Sequence, residues 1–160
     1  MKVPILSELK SIGKNPEYLF WIGCAGSFDD RAKKVTKAFI KILNSANISY
    51  AILGKEESCT GDPAKRSGNE FLFQMKAISN IEILNLYDVK KIITTCPHCF
   101  NTLKNEYPEL GGNYEVIHHT TFINNLVKDN KISISGGYYK GKKITYHDPC
   151  YLGRANGVYE

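Results

Sequence analysis

Five cysteines are the residues of this sequence whose type and spacing could do chemistry. Two of them, Cys96 and Cys99, form a C-x-x-C pair directly after residues 91–95, which are predicted to form a buried strand. A helix is predicted to begin at Pro97, so both thiols lie where a buried strand ends and a helix starts. The partial positive charge and free N–H groups of a helix N-terminus favour the thiolate, which is the form that binds metal. The pair therefore predicts half of an iron–sulfur cluster site.

The remaining cysteines lie singly in the sequence. Cys24 follows the apolar run 18–22, Cys59 lies in the loop after the second predicted strand, and Cys150 follows the last predicted strand. A set of four thiolates, Cys24, Cys59, Cys96 and Cys99, suits an iron–sulfur cluster or a zinc ion. Zinc sites usually bring their ligands as two close pairs, whereas here two ligands arrive one at a time. The spacing therefore favours an iron–sulfur cluster.

Short apolar runs alternate with amphipathic segments along the chain. The pattern predicts strands at 18–22, 48–53, 90–95, 114–117 and 143–146, and helices at 29–47, 63–87, 97–106 and 120–128. This order predicts an α/β fold with a small parallel sheet and helices on both faces. In such a sheet the functional crevice lies outside the carboxyl ends of the strands, so the cysteines can converge at one edge.

The predicted helix 63–87 carries a strong apolar pattern. Its stripe, by which the helix is expected to pack on the core, consists of Phe71, Leu72, Met75, Ile78, Ile81 and Leu84. Asp62 followed by Pro63 is a good helix start, so Asp62 is interpreted as the cap of this helix. Residues 23–27 are interpreted as a tight glycine loop.

Composition excludes several classes of protein. The net charge of +5 comes from scattered lysines with no nucleic-acid motif, so nucleic-acid binding is not expected. There is no apolar stretch of about 18 residues, so no transmembrane segment is predicted, and no secretory signal is found at the start. An odd number of cysteines is typical of metal ligands or reactive thiols in a reducing compartment. We expect a cytoplasmic protein, peripheral to a membrane redox complex.

The motifs around the cysteines resemble those of the cysteine-rich CCG-domain family, in about residues 18–160. This family includes the B and D subunits of heterodisulfide reductase and the iron–sulfur subunits of glycolate and lactate oxidation systems. The matching stretches are Gly23-Cys24-Ala25-Gly26-Ser27, Ser58-Cys59-Thr60-Gly61-Asp62, Gly68-Asn69-Glu70, Cys96-Pro97-His98-Cys99 and His147-Asp148-Pro149-Cys150-Tyr151-Leu152-Gly153-Arg154.

The resemblance implies a function and its partners. It implies an iron–sulfur electron-transfer subunit or domain of a heterodisulfide-reductase-like oxidoreductase, with a Rossmann-like fold. The expected partners are a flavoprotein or another iron–sulfur redox subunit, and a thiol/disulfide or hydroxy-acid-linked electron donor. Cluster binding carries over to Cys24, Cys59, Cys96 and Cys99, and no catalytic residue can be named.

Family members usually carry two such units in tandem, which implies a division of this chain. We divide it into an N-terminal arm (1–17), a first cysteine-rich CCG domain (18–130), a linker (131–142) and the start of a second, truncated unit (143–160). Cys150 is then a possible ligand of an incomplete second site.

Thr60 departs from the family pattern. The family has two adjacent cysteines before glycine, and this sequence has Cys59-Thr60-Gly61. In the B subunit of heterodisulfide reductase the adjacent cysteines help to hold a non-cubane cluster. The four cysteines that remain here match an ordinary [4Fe–4S] cluster, so the non-cubane form is not the one expected.

Other polar residues near the cysteines have two interpretations each. His98 is interpreted as a solvated turn residue, or as a hydrogen-bond donor to cluster sulfur. His118 and His119 are interpreted as one buried and one exposed histidine, or as a source of protons. Arg66 either balances the charge of a cluster or forms a surface ion pair, and Asp62 is a cap rather than an acid–base group.

Three rival functions are left open at this stage. One is a metal-free thiol–disulfide oxidoreductase that uses Cys96 and Cys99 directly. A second is a zinc-stabilised interaction module. The third is a piece of a larger oxidoreductase that folds but has no activity of its own.

Overall fold

A computed structural model describes residues 3–159 of the chain. Within them, four strands form one parallel sheet in the order β2-β1-β3-β4. The strands are β1 (Tyr18–Trp21), β2 (Tyr50–Ala51), β3 (Lys91–Thr94) and β4 (Glu115–His118). The predicted α/β fold with a small parallel sheet is confirmed.

Helices surround this sheet. In the described part of the chain they are α1 (Leu6–Ser11), α2 (Gly23–Phe28), α3 (Asp30–Ser45), α4 (Asp62–Arg66), α5 (Glu70–Leu86), α6 (Pro97–Asn101), α7 (His119–Lys128) and α8 (Gly153–Asn156). Short 3₁₀ turns lie at Gly54–Glu56 and Tyr107–Leu110, and a π-helical turn at Thr102–Glu106 continues α6. None of the helices described for residues 3–159 is long and apolar enough to cross a membrane.

The sheet separates two hydrophobic cores, because successive residues of a strand point to opposite faces. On one face, Leu19, Trp21 and Ile92 pack with residues of α1, α5 and α6. On the other face, Phe20 and Ile93 pack with residues of α3 and α7. The helices therefore cover both faces, as the alternating sequence pattern predicts.

The strand order places a crevice between β1 and β3. From β1 the chain passes through α3 to β2 on one side, then returns through α5 to β3 on the other side. The loops that leave the carboxyl ends of β1 and β3 therefore run in opposite directions, which opens a crevice where ligands bind in such folds. Cys24 follows β1 and Cys96 follows β3, so the fold brings both to this crevice.

The single helix predicted at 63–87 is wrong, since the structure forms two helices with a break at residues 67–69. Gly68 has a φ of +82°, which the helix interior does not allow and glycine adopts readily. The side chain of Asn69 then accepts a hydrogen bond from the backbone N–H of Leu72 and caps α5. The signal for the break was present in the sequence as Gly68-Asn69.

The apolar stripe predicted for this helix is also largely wrong. Its first four members are exposed: Phe71 at 76%, Leu72 at 40%, Met75 at 54% and Ile78 at 45%. Only Ile81 and Leu84 of the predicted stripe are buried, and the rest of the buried face consists of Phe73, Ala77 and Asn80. Because α5 is apolar on both faces, helical periodicity could not select the one that packs.

Three smaller predictions differ from the structure. The glycine loop predicted at 23–27 is the helix α2, and the second strand is reduced to Tyr50–Ala51. No strand forms at 143–146, where Ile144 is 66% exposed. A strand is stable only beside a partner strand, and none pairs with this segment within residues 3–159.

Candidate functional site

Four of the cysteines line one pocket. Its volume is about 410 Å³, and it lies at the carboxyl ends of β1 and β3. The lining residues are Cys24, Cys59, Thr60, Asp62, Pro63, Arg66, Cys96, His98 and Cys99. The structure therefore brings together the four cysteines that the sequence selects, from three separate segments of the chain.

The cysteines surround a space rather than a point. No group of three or more His, Cys, Asp or Glu side chains in residues 3–159 is arranged around a single metal ion. A tetrahedral zinc with bonds of about 2.3 Å holds its sulfurs only about 4 Å apart. An iron–sulfur cluster is larger than one ion, so its ligands surround a wider space. The donor set of four thiols is one that an iron–sulfur cluster takes.

Cys24 lies in the first turn of α2 and is exposed. The turn is fixed from the next cysteine-bearing loop by Glu57, whose carboxylate accepts hydrogen bonds from the backbone N–H groups of Gly23 (2.6 Å) and Ile22 (3.1 Å). Burial raises the pKa of Glu57 to about 7, while these two hydrogen bonds act to lower it. Burial also raises the pKa of Cys24, and the nearby Cys59 thiol raises it further.

Cys59 is held in position by hydrogen bonds to its backbone carbonyl and to its sulfur. Its carbonyl accepts a hydrogen bond of 3.0 Å from Nδ2 of Asn80, a residue of α5 that is only 1% exposed. Its sulfur accepts one of 3.5 Å from the N–H of Gly61. Gly61 has a φ of +89°, and a Cβ there would lie 2.9 Å from the ring of Phe73, so no other residue fits this turn.

Cys96 and Cys99 form an unequal pair. Cys96 is the N-cap residue of α6. The sulfur of Cys96 accepts a hydrogen bond from the thiol of Cys99 and further hydrogen bonds from the backbone N–H groups of Cys99 and His98. Together these bonds lower the pKa of Cys96 to about 6, although burial acts to raise it. The interaction with Cys96, and then burial, raise the pKa of Cys99. The thiolate that the sequence predicts at this helix start is therefore Cys96.

Cys99 is the most buried cysteine of the pocket, with 5% of its surface exposed. A Cβ at Gly23 would lie 3.2 Å from its sulfur, so the start of the helix α2 packs directly on this atom. The hydroxyl of Thr60 donates to the same sulfur over 3.9 Å. Glycine at position 23 is thus needed both for its φ of +77° and for this close approach.

Asp62 is not the helix cap that the sequence predicts, because Gly61 occupies the N-cap position of α4. The buried Asp62 carboxylate is 2.9 Å from Nδ1 of His98 and 3.3 Å from Nε of Arg66, and it accepts a hydrogen bond of 3.4 Å from the hydroxyl of Thr102. Arg66 also pairs with Glu106. Asp62 therefore ties α4 to α6 at the wall of the pocket.

His98 is largely exposed but is not a free turn residue. Besides Asp62, it contacts the ring of Tyr151, with the ring centroids 4.2 Å apart. Cys150, the neighbour of Tyr151, does not line the pocket, and its exposed sulfur accepts a hydrogen bond of 2.9 Å from Arg154 Nη1.

His118 and His119 do not line the pocket. His118 is buried and caps α7, where its ring accepts from the backbone N–H of Thr120, and it contacts the carbonyl of Thr95. Burial, and then the neighbouring His119, lower the pKa of His118 to about 4. Their placement matches the interpretation of structural histidines, with His119 half-buried rather than exposed.

Sequence reasoning missed three residues that support the site: Glu57, Asn80 and Tyr107. Asn80 and Tyr107 are joined by a hydrogen bond of 3.0 Å. Asn80 could have been found, because it is a polar residue on the same helical face as Phe73, Ala77 and Leu84. Nothing in the local sequence marks the other two.

Comparison with known proteins gives relatives that are named as oxidoreductases or as subunits of a reductase. The chain is 53% identical over 156 residues to a protein of Syntrophomonas wolfei named EtfAB:quinone oxidoreductase, and 48% identical over 159 residues to one of Bacillus subtilis named probable iron-sulfur-binding oxidoreductase FadF. It is 34% identical over 149 residues to the D subunit of the dihydromethanophenazine:CoB–CoM heterodisulfide reductase of Methanosarcina barkeri.

These matches cover nearly all of this chain but only part of each relative. They take in 98%, 99% and 89% of the chain, and 22%, 22% and 36% of the relatives, respectively. No solved structure matches the chain.

The family comparison covers the pocket itself. The family model described as the cysteine-rich domain, CCG, matches residues 18–104. This range contains β1, β3 and all four pocket cysteines. The chain therefore belongs to the cysteine-rich CCG-domain family.

Proposed function

We propose that this chain holds an iron–sulfur cluster through Cys24, Cys59, Cys96 and Cys99, and that it carries electrons within an oxidoreductase complex. The observation that supports the proposal most directly is the pocket lined by four thiols from three separate segments of the chain. Four thiolates are the usual ligands of such clusters. The names of the relatives agree with this role. Two of them are named as oxidoreductases, one of these as iron-sulfur-binding, and the third is named as a subunit of a reductase.

The cluster that we propose is of the [4Fe–4S] type. When bound, it would supply a one-electron carrier. A fifth cysteine could have supported a different cluster, but position 60 is threonine and Cys150 lies outside the pocket lining. The four cysteines that line the pocket match the four irons of a cubane one to one.

The residues around the pocket are suited to an anionic group. Cys96, with its pKa lowered to about 6, is a thiolate at neutral pH and can accept iron without losing a proton first. Arg66 also lines the pocket, where its charge is shared with the carboxylates of Asp62 and Glu106. The N–H of Gly61 and the hydroxyl of Thr60 donate to two of the sulfurs.

The partners that we propose are a flavoprotein or another iron–sulfur subunit. We also propose a thiol/disulfide or hydroxy-acid-linked electron donor for the complex. The relative named EtfAB:quinone oxidoreductase supports a chain of redox partners. We place the protein in the cytoplasm, at the periphery of a membrane redox complex. The five free cysteines agree with a reducing compartment.

The test is to purify the protein without oxygen and to count iron and acid-labile sulfide on the sample that gives the absorption spectrum. We expect a brown protein with broad absorption near about 400 nm and about four irons and four sulfides per chain. Serine at any of the four pocket cysteines should lower the iron count, whereas Cys150→Ser should leave it unchanged.

The rival functions predict other results. A colourless, iron-free protein that cannot be reconstituted would refute the cluster. One zinc per chain in that sample would favour the interaction module. Reduction of a disulfide substrate that survives Cys24→Ser and Cys59→Ser, but not Cys96→Ser, would favour the metal-free oxidoreductase.

A further inference from the structure

Thr60 is a buried polar residue at the centre of the pocket. Its side chain lines the pocket, and the residue is only 2% exposed. The hydroxyl donates a hydrogen bond to Sγ of Cys99 over 3.9 Å, and this sulfur is its partner in the described part of the chain. Sulfur is a large, soft acceptor, so its hydrogen bonds are longer than those to oxygen. A hydroxyl in this place acts on a cysteine rather than on solvent.

The backbone of Thr60 is fixed by residues behind the pocket. Its carbonyl accepts a hydrogen bond of 3.1 Å from the hydroxyl of Tyr107, which is fully buried. Tyr107 accepts in turn from Asn80 Nδ2, which also donates to the carbonyl of Cys59. The 59–60 segment is thus held at both carbonyls, and the Thr60 hydroxyl keeps its position relative to Cys99.

The surroundings of Cys99 favour Thr60 over water as its donor. The Cys99 residue is 5% exposed and belongs to the hydrophobic core on the α5 face of the sheet. Gly23 packs against its sulfur so closely that even a Cβ would lie at 3.2 Å. In such a site of low dielectric constant, a hydrogen bond to a charged sulfur is stronger than in water.

We propose that Thr60 tunes the reduction potential of the bound cluster by donating this hydrogen bond to the ligating sulfur of Cys99, an inference that rests on the function proposed above. A hydrogen bond to a ligand sulfur withdraws negative charge from it. It therefore stabilises the reduced state, which carries one more electron, and raises the potential. The electron comes from the electrode or reductant of the measurement, and no proton or group is transferred. Thr60 is a positioning residue in this role, since it acts through Cys99.

The test compares two substitutions at one position. Thr60→Val removes the hydroxyl and keeps the branched shape, whereas Thr60→Ser keeps the hydroxyl. The full chain is reconstituted without oxygen, iron is counted, and the midpoint potential is measured by redox titration. We expect equal iron in all samples, a more negative potential for Thr60→Val, and a potential close to that of the original protein for Thr60→Ser.

A matched control removes a buried hydroxyl that does not reach sulfur. Thr36 is 6% exposed and donates to the carbonyl of Gly26 over 3.3 Å. We expect Thr36→Val to leave the potential unchanged. A shift as large as that of Thr60→Val would show that the potential responds to any loss of a buried hydroxyl, and it would overturn the proposal.

A second measurement does not depend on the potential. Resonance Raman spectra of the iron–cysteine stretches are recorded in H₂O and in D₂O, which replaces the exchangeable hydroxyl proton. We expect an isotope shift in the original protein that is smaller in Thr60→Val. If the valine variant does not fold, Thr60→Ala removes the same hydroxyl with less bulk and takes its place in both measurements.

The failures of the two proposals are distinguishable. A protein that binds iron and sulfide normally, but with the same potential and the same isotope shift in Thr60→Val, refutes the role of Thr60 alone. A protein that binds no iron in any form refutes the proposed function and this inference with it.

Discussion

The chemistry of the pocket depends on single residues that position the cysteines without resembling ligands. Glu57 shows this best, since its carboxylate joins the loop before Cys59 to the start of the helix α2, which carries Cys24. Cys24 and Cys59 stand out in the sequence, but their relative position depends on Glu57 and on the glycine at position 23. Residues of this kind determine the distances between the thiols that line the pocket.

Replacing Glu57 by alanine should destabilise the fold and loosen the Cys24 loop. The backbone N–H groups of Ile22 and Gly23 would lose their acceptors, at a cost of about 2–4 kcal/mol for the two. Glu57→Gln keeps one acceptor oxygen, so we expect about half of that loss. Urea unfolding at pH 5 measures both values, because the raised pKa of about 7 means that burying an ionised Glu57 would lower the stability of the original protein at higher pH.

Glu56 is the matched control for this prediction. It is exposed, and its carboxylate accepts a hydrogen bond from the hydroxyl of Tyr87. Glu56→Ala should change the stability by less than about 0.5 kcal/mol. If the two alanine variants unfold at the same urea concentration, Glu57 does not hold the Cys24 loop in the way described.

His118 should make the stability depend on pH. Its pKa is about 4 in the folded protein and about 6.5 in an unfolded chain, because burial disfavours the charged ring. Between these values the unfolded state binds the proton and the folded state does not. The stability that is present above pH 6.5 is therefore lost as pH falls towards 4, by up to about 3 kcal/mol.

A variant at the same position isolates this effect. His118→Asn keeps an acceptor for the N-terminus of α7, but it does not titrate. Urea unfolding of both proteins at several pH values between 4.5 and 7.5 gives the two slopes. We expect the original protein to lose more stability than the variant as pH falls, and equal slopes would rule out His118 as the cause.

At the scale of the elements, the sequence predicted the order and type of the strands and helices better than it predicted where they end and which face of a helix packs. The four strands of the sheet, and the helices that cover it, follow from the alternation of short apolar runs with amphipathic segments. The position of Cys24 and Cys96 at one edge follows from the parallel sheet. Whether the four cysteines bind a cluster stays a prediction, because geometry alone does not identify what fills a pocket.

The parts that could not be predicted have physical causes. The helix α5 carries apolar residues on both faces, so its periodicity does not show that Phe73 is buried and Phe71 is exposed. The backbone contacts of Glu57 join residues far apart in sequence, and no local pattern encodes them. The absence of a strand at 143–146 depends on the lack of a neighbour, which is a property of the whole sheet.

The two phenylalanines of α5 test which face of this helix packs. Phe73 is 1% exposed and lies against Gly61 in the turn after Cys59, whereas Phe71 is 76% exposed. Phe73→Ala should cost about 3–5 kcal/mol, since it leaves a cavity under the cysteine loop. Phe71→Ala should change the stability by less than about 0.5 kcal/mol. Thermal or urea unfolding measures both, and the opposite order would mean that the helix is rotated.

At the scale of the whole molecule, the last residues described fold back on the first part of the chain. Residues 133–148 are exposed, but Leu152 is 4% exposed and belongs to the same hydrophobic core as Cys99. Asn156 exchanges hydrogen bonds with Asn101 and Asn105. The division into a domain at 18–130, a linker and a further unit from 143 stays a prediction. The contacts show that residues 151–156 pack near the pocket.

Leu152 should therefore contribute to stability as a core residue although it follows a long exposed segment. Leu152→Ala removes a buried side chain from the hydrophobic core on the α5 face of the sheet, and it should lower the free energy of unfolding by about 2–5 kcal/mol. Ile144→Ala, at a residue that is 66% exposed in the same part of the chain, should cost less than about 0.5 kcal/mol. Urea unfolding followed by Trp21 fluorescence compares the two, because Trp21 belongs to the same core as Leu152. Equal stabilities would mean that the end segment is not docked, and then the contact between Tyr151 and His98 at the pocket would be absent as well.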